Sequence, residues 1–384
     1  MNYQVLEKLL NLPLRSLLYK EILNKFHAVK NIQNIRYREF AIEDGTIPVI
    51  TVNEKAKLDD IEEVYVFIAA QHNEYNGLFG ILEFFEGIIE GKVILENYLR
   101  KHQILFFFPL MNPYGFLYPN KKNKSGYFLK NGENLNRFWR RTFVPEFKNS
   151  ESDLNNLRMP EQTKILYSLL EKYWLKNGIK FYFMDFHETS LLERYLMKLS
   201  HNFNYTYKFS HWIEERIIIN IMELYNISSS PLSRTKCKFS GNFPNINLSK
   251  KKVDLINEKL QEYIKENKKK LPFYYSHSKN AHQYCINLAQ KVYYNLKSKL
   301  WETKFLTDDH KFDNHGCFVK MSDATKRKHV YSMALESKKE FFNIFDEIQK
   351  AKRNSYYYDE KLFDIKINIE LVYNTITEMI KVFQ

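Results

Sequence analysis

A chain of 384 residues with 44% hydrophobic and 16% aromatic residues can bury a sizeable core, which excludes a disordered or fibrous protein. Its 11 glycines and 10 prolines leave little material for long linkers or low-complexity tracts. The 58 Lys and Arg against 45 Asp and Glu give a net charge of +13, which favours anionic partners in general. Much of that charge lies in lysine-rich stretches such as Lys250–Lys252 and Lys268–Lys270, which read as solvated helix faces.

The segment from Met1 to Lys30 has apolar residues at helical spacing, interrupted by Glu7, Lys8, Arg15 and Lys20. A signal peptide needs an unbroken apolar stretch, so an amphipathic helical region is expected instead. Arg36–Ile42 and Ile47–Val52 flank an Asp44-Gly45 turn signal and predict a hairpin. Val64–Ala70, Ile104–Leu110 and Phe181–Asp185 are short, nearly all-apolar runs of the kind found in strands covered on both faces. Between them, Asn76–Ile89 and Gln162–Lys176 carry helical periodicity. Beyond Ser190 the pattern becomes helical and lysine-rich, with helices expected over Phe209–Leu224, Lys250–Lys268 and Ala281–Lys299. A further strand is predicted at Val330–Leu335 and a closing amphipathic helix at Ile365–Val382. Alternating strands and helices give an α/β fold with a mixed, mostly parallel central sheet flanked by helices. The layout expected is a single catalytic domain over residues 1–384, with an N-terminal helical and hairpin segment to about residue 55 and a helical insertion at about 195–310.

No apolar run approaches the roughly 20 residues of a membrane-spanning helix, so no membrane partner is expected. The cysteines, Cys237, Cys285 and Cys317, have no paired spacing and suit a reducing compartment, so a cytoplasmic location is expected. Lysines beside aromatics, as in Lys270–Ser276, raise a nucleic-acid reading, but no recognisable binding motif supports it.

In a mostly parallel sheet, chemistry gathers beyond the carboxyl ends of the strands. The polar residues follow that rule. Gln71-His72-Asn73-Glu74 comes after the first apolar strand, and Asn112-Pro113-Tyr114-Gly115 after the second, followed by Gly132-Glu133-Asn134-Leu135-Asn136-Arg137. Asp185-Phe186-His187-Glu188-Thr189 ends the third strand, and Glu336 ends the last. Each element alone is weak, since Asn-Pro-x-Gly is mainly a turn signal and a lone histidine after a strand is usually a polar loop residue. Together they offer two imidazoles and a carboxylate, a set that leaves a catalytic zinc one open position.

The order of these motifs resembles the zinc carboxypeptidases and their succinylglutamate desuccinylase and aspartoacylase relatives. That family carries His-x-x-Glu, Asn-Pro-x-Gly, Gly-x-Asp-Leu-Asn-Arg, Asp-x-His and a late Glu on a strand. The matches run from about Val64 to Ser337. The resemblance implies a zinc-dependent hydrolase that cleaves a peptide or amide bond next to a carboxylate. His72, Glu74 and His187 would hold zinc, Asp185 would orient His187, and Glu336 would be the general base. Asn136 and Arg137 would grip the carboxylate of a peptide or N-acyl amino-acid substrate.

Two departures leave alternatives open. His72 and Glu74 are two apart where the family has three, so either the loop is one residue shorter or Gln71 stands at the ligand position. The family's oxyanion-stabilising arginine has no counterpart in Lys121–Tyr127, where Lys124 is the candidate to supply the charge. The same site also suits an acyl-amino-acid amidase. A metal-free, inactive relative that binds carboxylate-ended ligands is the reading from another class.

Overall fold

The apolar runs form the middle of a sheet whose every central residue is covered. A computed structural model describes residues 7–9, 11–43, 45–95, 99–119, 126–149, 152–189, 206–208, 222, 225–226, 230–236, 242–247, 249–266, 270–271, 273–300, 307–309, 317–325, 327–338 and 355–382. After helix α1 (Arg15–Ala28) come β1 (Ile35–Ile42), β2 (Gly45–Val52), β3 (Glu63–Ile68), α2 (Asn76–Ile89), β4 (Gln103–Phe108), α3 (Pro113–Leu117) and α4 (Trp139–Phe143). Next are α5 (Glu161–Trp174), β5 (Lys180–Thr189), β6 (Thr206–Lys208), β7 (Ser230–Lys236), β8 (Asn242–Asn247) and α6 (Lys250–Glu266). The chain continues with β9 (Phe273–His277), α7 (His282–Leu296), β10 (Thr307–Asp309), α8 (Met321–Ala324), β11 (Val330–Lys338) and α9 (Ser355–Val382).

Eight strands form one mixed sheet in the order β1-β2-β4-β3-β5-β11-β9-β10. The central four, β4, β3, β5 and β11, run parallel, so their carboxyl ends meet at one edge of the molecule. The expected hairpin is β1–β2, with Ile42 opposite Gly45. All residues of β3 and β4 are buried, as continuous apolar runs require. Tyr65, Phe67 and Phe107 face a core closed by α1, α2, α7 and α9. Val64, Val66, Phe106 and Phe183 face the opposite core, closed by α4, α5 and residues around Phe318.

Two glycines let α2 approach its neighbours. A Cβ at Gly77 would lie 2.4 Å from Phe186 Cβ, and one at Gly80 would lie 2.3 Å from Val372 Cγ1. The first contact seats the start of α2 on the end of β5, and the second seats α2 on α9. The main-chain N–H of Asn76 also donates to Glu188 Oε1 at 2.6 Å, placing a carboxylate at the positive end of α2.

Within the segment read as a helical insertion, the structure contains helices α6 and α7, as expected, and strands besides. Strands β6, β8 and β7 form a small separate sheet. Strand β9 joins the main sheet antiparallel to β11, and all five of its residues are buried. The aromatics Phe273, Tyr274 and Tyr275 therefore pack inside the protein. Lysine-rich flanks and the lack of alternation hid this strand in the sequence. The helix expected at Phe209–Leu224 lies outside the described residues, apart from Met222. Among the described residues, no helix is long and apolar enough to cross a membrane.

Burial on α2 pushes the Glu83 carboxyl up to about 7, with nearby Glu90 and Glu86 adding to the effect. A carboxyl raised in the folded state costs nothing below its unfolded value, and its cost grows until pH passes the folded value. Glu83→Gln should therefore raise the unfolding midpoint above about pH 7 and leave it unchanged below about pH 4.5. Thermal unfolding across that range checks this; a shift independent of pH would exclude it.

Candidate metal centre

The site is assembled from the carboxyl ends of the parallel strands. Beyond β3 the chain turns at Ala70, whose φ of 51° lies in the left-handed region. The turn is held to the end of β4 by Ala69 N–H to Phe108 O at 3.0 Å and Asn112 N–H to Ala70 O at 3.0 Å. Asn112 caps α3 through Gly115 N–H at 2.8 Å, with Pro113 at the first helical position. Its amide also donates to Gln71 O and to Phe128 O, each at 3.2 Å. The Asn-Pro-Tyr-Gly motif is thus a clamp on three loops.

Inside this clamp His72, Glu74 and His187 converge, all buried, with one ligand atom from each lying within 4.8 Å of the others. Glu74 Oε2 lies 2.7 Å from His187 Nδ1 and 3.5 Å from His72 Nδ1. The opposite nitrogens are also held: His72 Nε2 is 2.9 Å from Asn134 Oδ1, and His187 Nε2 is 2.6 Å from Asp185 Oδ2. An acceptor at Nε2 fixes the proton there and presents Nδ1 towards the common centre. Burial by itself would raise the Glu74 carboxyl, but the imidazoles of His187 and His72 outweigh it and hold the group well below the usual carboxylate range. Burial would likewise lower His187, but Asp185 and Glu74 hold its imidazole well above its usual range.

Two imidazole nitrogens, each ring held from behind, and one carboxylate oxygen fit a zinc ion with an open coordination position. The structure places Gln71 elsewhere. Its Nε2 donates to Asp185 Oδ2 at 2.5 Å, and its Oε1 accepts from Trp139 Nε1 at 2.5 Å. Both ends of the amide are engaged one layer behind His187, and His72 occupies the position beside Glu74.

The remaining sequence candidates fall as follows. Glu336 is in register with His187 on the parallel neighbour β11, so both side chains project from the same face of the sheet. It is half-buried. The main-chain O of His187 is tied to that strand by Ser337 Oγ at 3.1 Å. Asn136 Oδ1 accepts from Phe318 N–H at 2.9 Å, leaving its Nδ2 3.2 Å from His187 Nε2. Arg137 is half-buried, and its Nη1 donates to Asn136 O at 3.1 Å. Lys124 lies outside the described residues.

Sequence reading missed Tyr127. Its ring stacks on His72 with centroids 3.9 Å apart and planes 12° from parallel. Burial, and after it Glu74, raises its hydroxyl pKa. Nothing in the residue pattern marks it, because the stack depends on Gly126 at φ 101° meeting Gly115 in space. The supporting roles of Gln71 and Trp139 were equally hidden.

No family model matches the chain, and no curated protein matches it. Among solved structures, the metallo-carboxypeptidase from Burkholderia cenocepacia is similar at a TM-score of 0.47 and 11% identity, covering 95% of this chain and 69% of that one. The metallo-carboxypeptidase from Pseudomonas aeruginosa in complex with (2-guanidinoethylmercapto)succinic acid gives a TM-score of 0.47 and 10% identity over 95% and 69%. Bovine thrombin-activatable fibrinolysis inhibitor in complex with tick carboxypeptidase inhibitor gives 0.45 and 11% over 96% and 99%.

Proposed function

We propose that the chain is a zinc-dependent hydrolase that cleaves a peptide or amide bond adjacent to a free carboxylate. The observation that carries this reading is the convergence of His72 Nδ1, His187 Nδ1 and Glu74 Oε2, with each Nε2 held by an acceptor behind it. When bound there, zinc would lower the pKa of a water and polarise the scissile carbonyl. His72, Glu74 and His187 would be its ligands. Asp185 holds the proton on His187 Nε2, and Gln71 and Trp139 hold Asp185 in turn. Glu336, on the strand beside His187, takes the proton from the attacking water and passes it to the leaving nitrogen. Arg137 offers the planar fork that matches a substrate carboxylate. Asn136, whose Oδ1 is held by Phe318 N–H, joins Arg137 in gripping that carboxylate. Lys124 is the residue proposed to steady charge on the carbonyl oxygen.

Metal content tests the ligand set. The purified protein should hold about one zinc per chain, and His72→Ala should lose it. Gln71→Leu should keep zinc with an affinity weakened roughly 10–100-fold, as befits a supporting residue. Zinc kept in His72→Ala but lost in Gln71→Leu would move the ligand to Gln71. Failure of the native protein to take up zinc would instead favour an inactive relative that binds carboxylate-ended ligands.

Hydrolysis tests the base. Glu336→Gln should retain zinc and lower kcat roughly 10²–10⁴-fold on short peptides with a free C-terminus. An unchanged kcat would remove Glu336 from the mechanism.

Substrate choice tests Arg137. Native protein should cut a peptide with a free carboxylate in preference to its C-terminal amide, and Arg137→Ala should abolish that preference mainly through KM. Equal cleavage of both peptides by the native protein would exclude carboxylate recognition.

A further inference from the structure

An open cleft of about 440 Å³ lies apart from the triad, and neither His72, Glu74 nor His187 lines it. One wall is the loop around Leu129 and Glu133, and the other is the start of α5 with Arg158 and Gln162. Three features of this wall point to a ligand.

The first is a buried donor. Gln162 is 2% exposed, and its Nε2 has no hydrogen-bond partner among the described residues. A buried amide without an acceptor costs free energy and calls for an explanation. The second is the helix end itself. α5 is 14 residues long and begins at Pro160, which gives no side-chain cap. Its first intrahelical bond is Lys164 N–H to Pro160 O, so among the described residues the N–H groups of Glu161, Gln162 and Thr163 meet no acceptor. Such an end attracts an anion. The third is Arg158, exposed and without an ion pair among the described residues. Its fork matches a carboxylate.

The rest of the lining limits the class of anion. Glu133 and Glu161 also line the cleft, while the Glu43 carboxylate there is matched by Lys130. Those two carboxylates, without an ion pair among the described residues, oppose a dianion such as phosphate. They favour a ligand that carries a cation beside its carboxylate.

We propose that this cleft binds a free α-amino acid, its carboxylate at the start of α5 against Gln162 Nε2 and Arg158, and its ammonium towards Glu133 and Glu161. The inference stands independently of the hydrolase reading. The wall is nonetheless continuous with the metal centre, because Glu133 precedes Asn134, whose Oδ1 holds His72.

Calorimetric titration of the full chain with L-alanine, acetate, methylammonium and inorganic phosphate tests the proposal. L-Alanine should bind at one site and more tightly than acetate, methylammonium or phosphate. Gln162→Leu and Arg158→Ala should each weaken L-alanine roughly tenfold or more. Removing bound metal with a chelator should leave the affinity unchanged. Gln162→Leu also removes an unsatisfied buried amide, so without ligand its unfolding midpoint should match or exceed the native one. Circular dichroism of each variant separates lost binding from lost folding; if Gln162→Leu fails to fold, Arg158→Ala, which changes an exposed side chain, decides. Phosphate binding as tightly as L-alanine would overturn the assignment, as would affinity unmoved by both cleft variants. Loss of binding on metal removal from the folded chain would assign the ligand to the metal centre and overturn it too.

Discussion

A carboxylate buried as deeply as Glu74 costs several kcal/mol unless cations or donors surround it. Here two imidazoles supply that surrounding, and they reach it from separate strand ends. The demand propagates outward. For His187 to face Glu74 through Nδ1, Asp185 must hold Nε2, and Asp185 is itself fixed by Gln71. For His72 to do likewise, Asn134 must hold its Nε2, which ties the loop before α4 to the loop after β3. A buried charged network of this kind gains little stability over an apolar core, so its worth lies in fixing one geometry.

That geometry depends on the sheet. Because β3, β4, β5 and β11 run parallel, their carboxyl ends meet at one edge, and the register of β11 against β5 sets Glu336 beside His187. Gly77 and Glu188 then pin the start of α2 to the same edge. The amino-acid cleft at the start of α5 uses different physics, helix-end N–H groups and an unmatched amide in place of imidazoles. It shares only the loop through Glu133 and Asn134 with the metal centre.

Much of the frame was legible because burial on both faces leaves continuous apolar runs. Val64–Ala70, Ile104–Leu110 and Phe181–Asp185 correspond to β3, β4 and β5, and the polar residues directly after them form the site. Strand β9 was not legible, because a short aromatic run between lysines has neither alternation nor flanking turn signals. The small sheet of β6, β7 and β8 escaped for a similar reason: Ser230–Lys236 and Asn242–Asn247 are short, largely polar stretches, each interrupted by a proline, with no alternation to mark them.

The sequence by itself determined the strand–helix alternation, the four polar segments and the residue types able to hold a metal, since these follow from local composition and spacing. The placement of the Gln71 and His72 side chains was a different matter. Adjacent residues in a loop are equivalent to any spacing argument, and only the turn at Ala70, the acceptor at Asn134 and the donor–acceptor chain through Trp139, Gln71 and Asp185 separate them. The stack of Tyr127 on His72 and the unmatched amide of Gln162 were likewise decided in three dimensions. Each depends on what a side chain meets across the fold, and segments far apart in the sequence supply those partners.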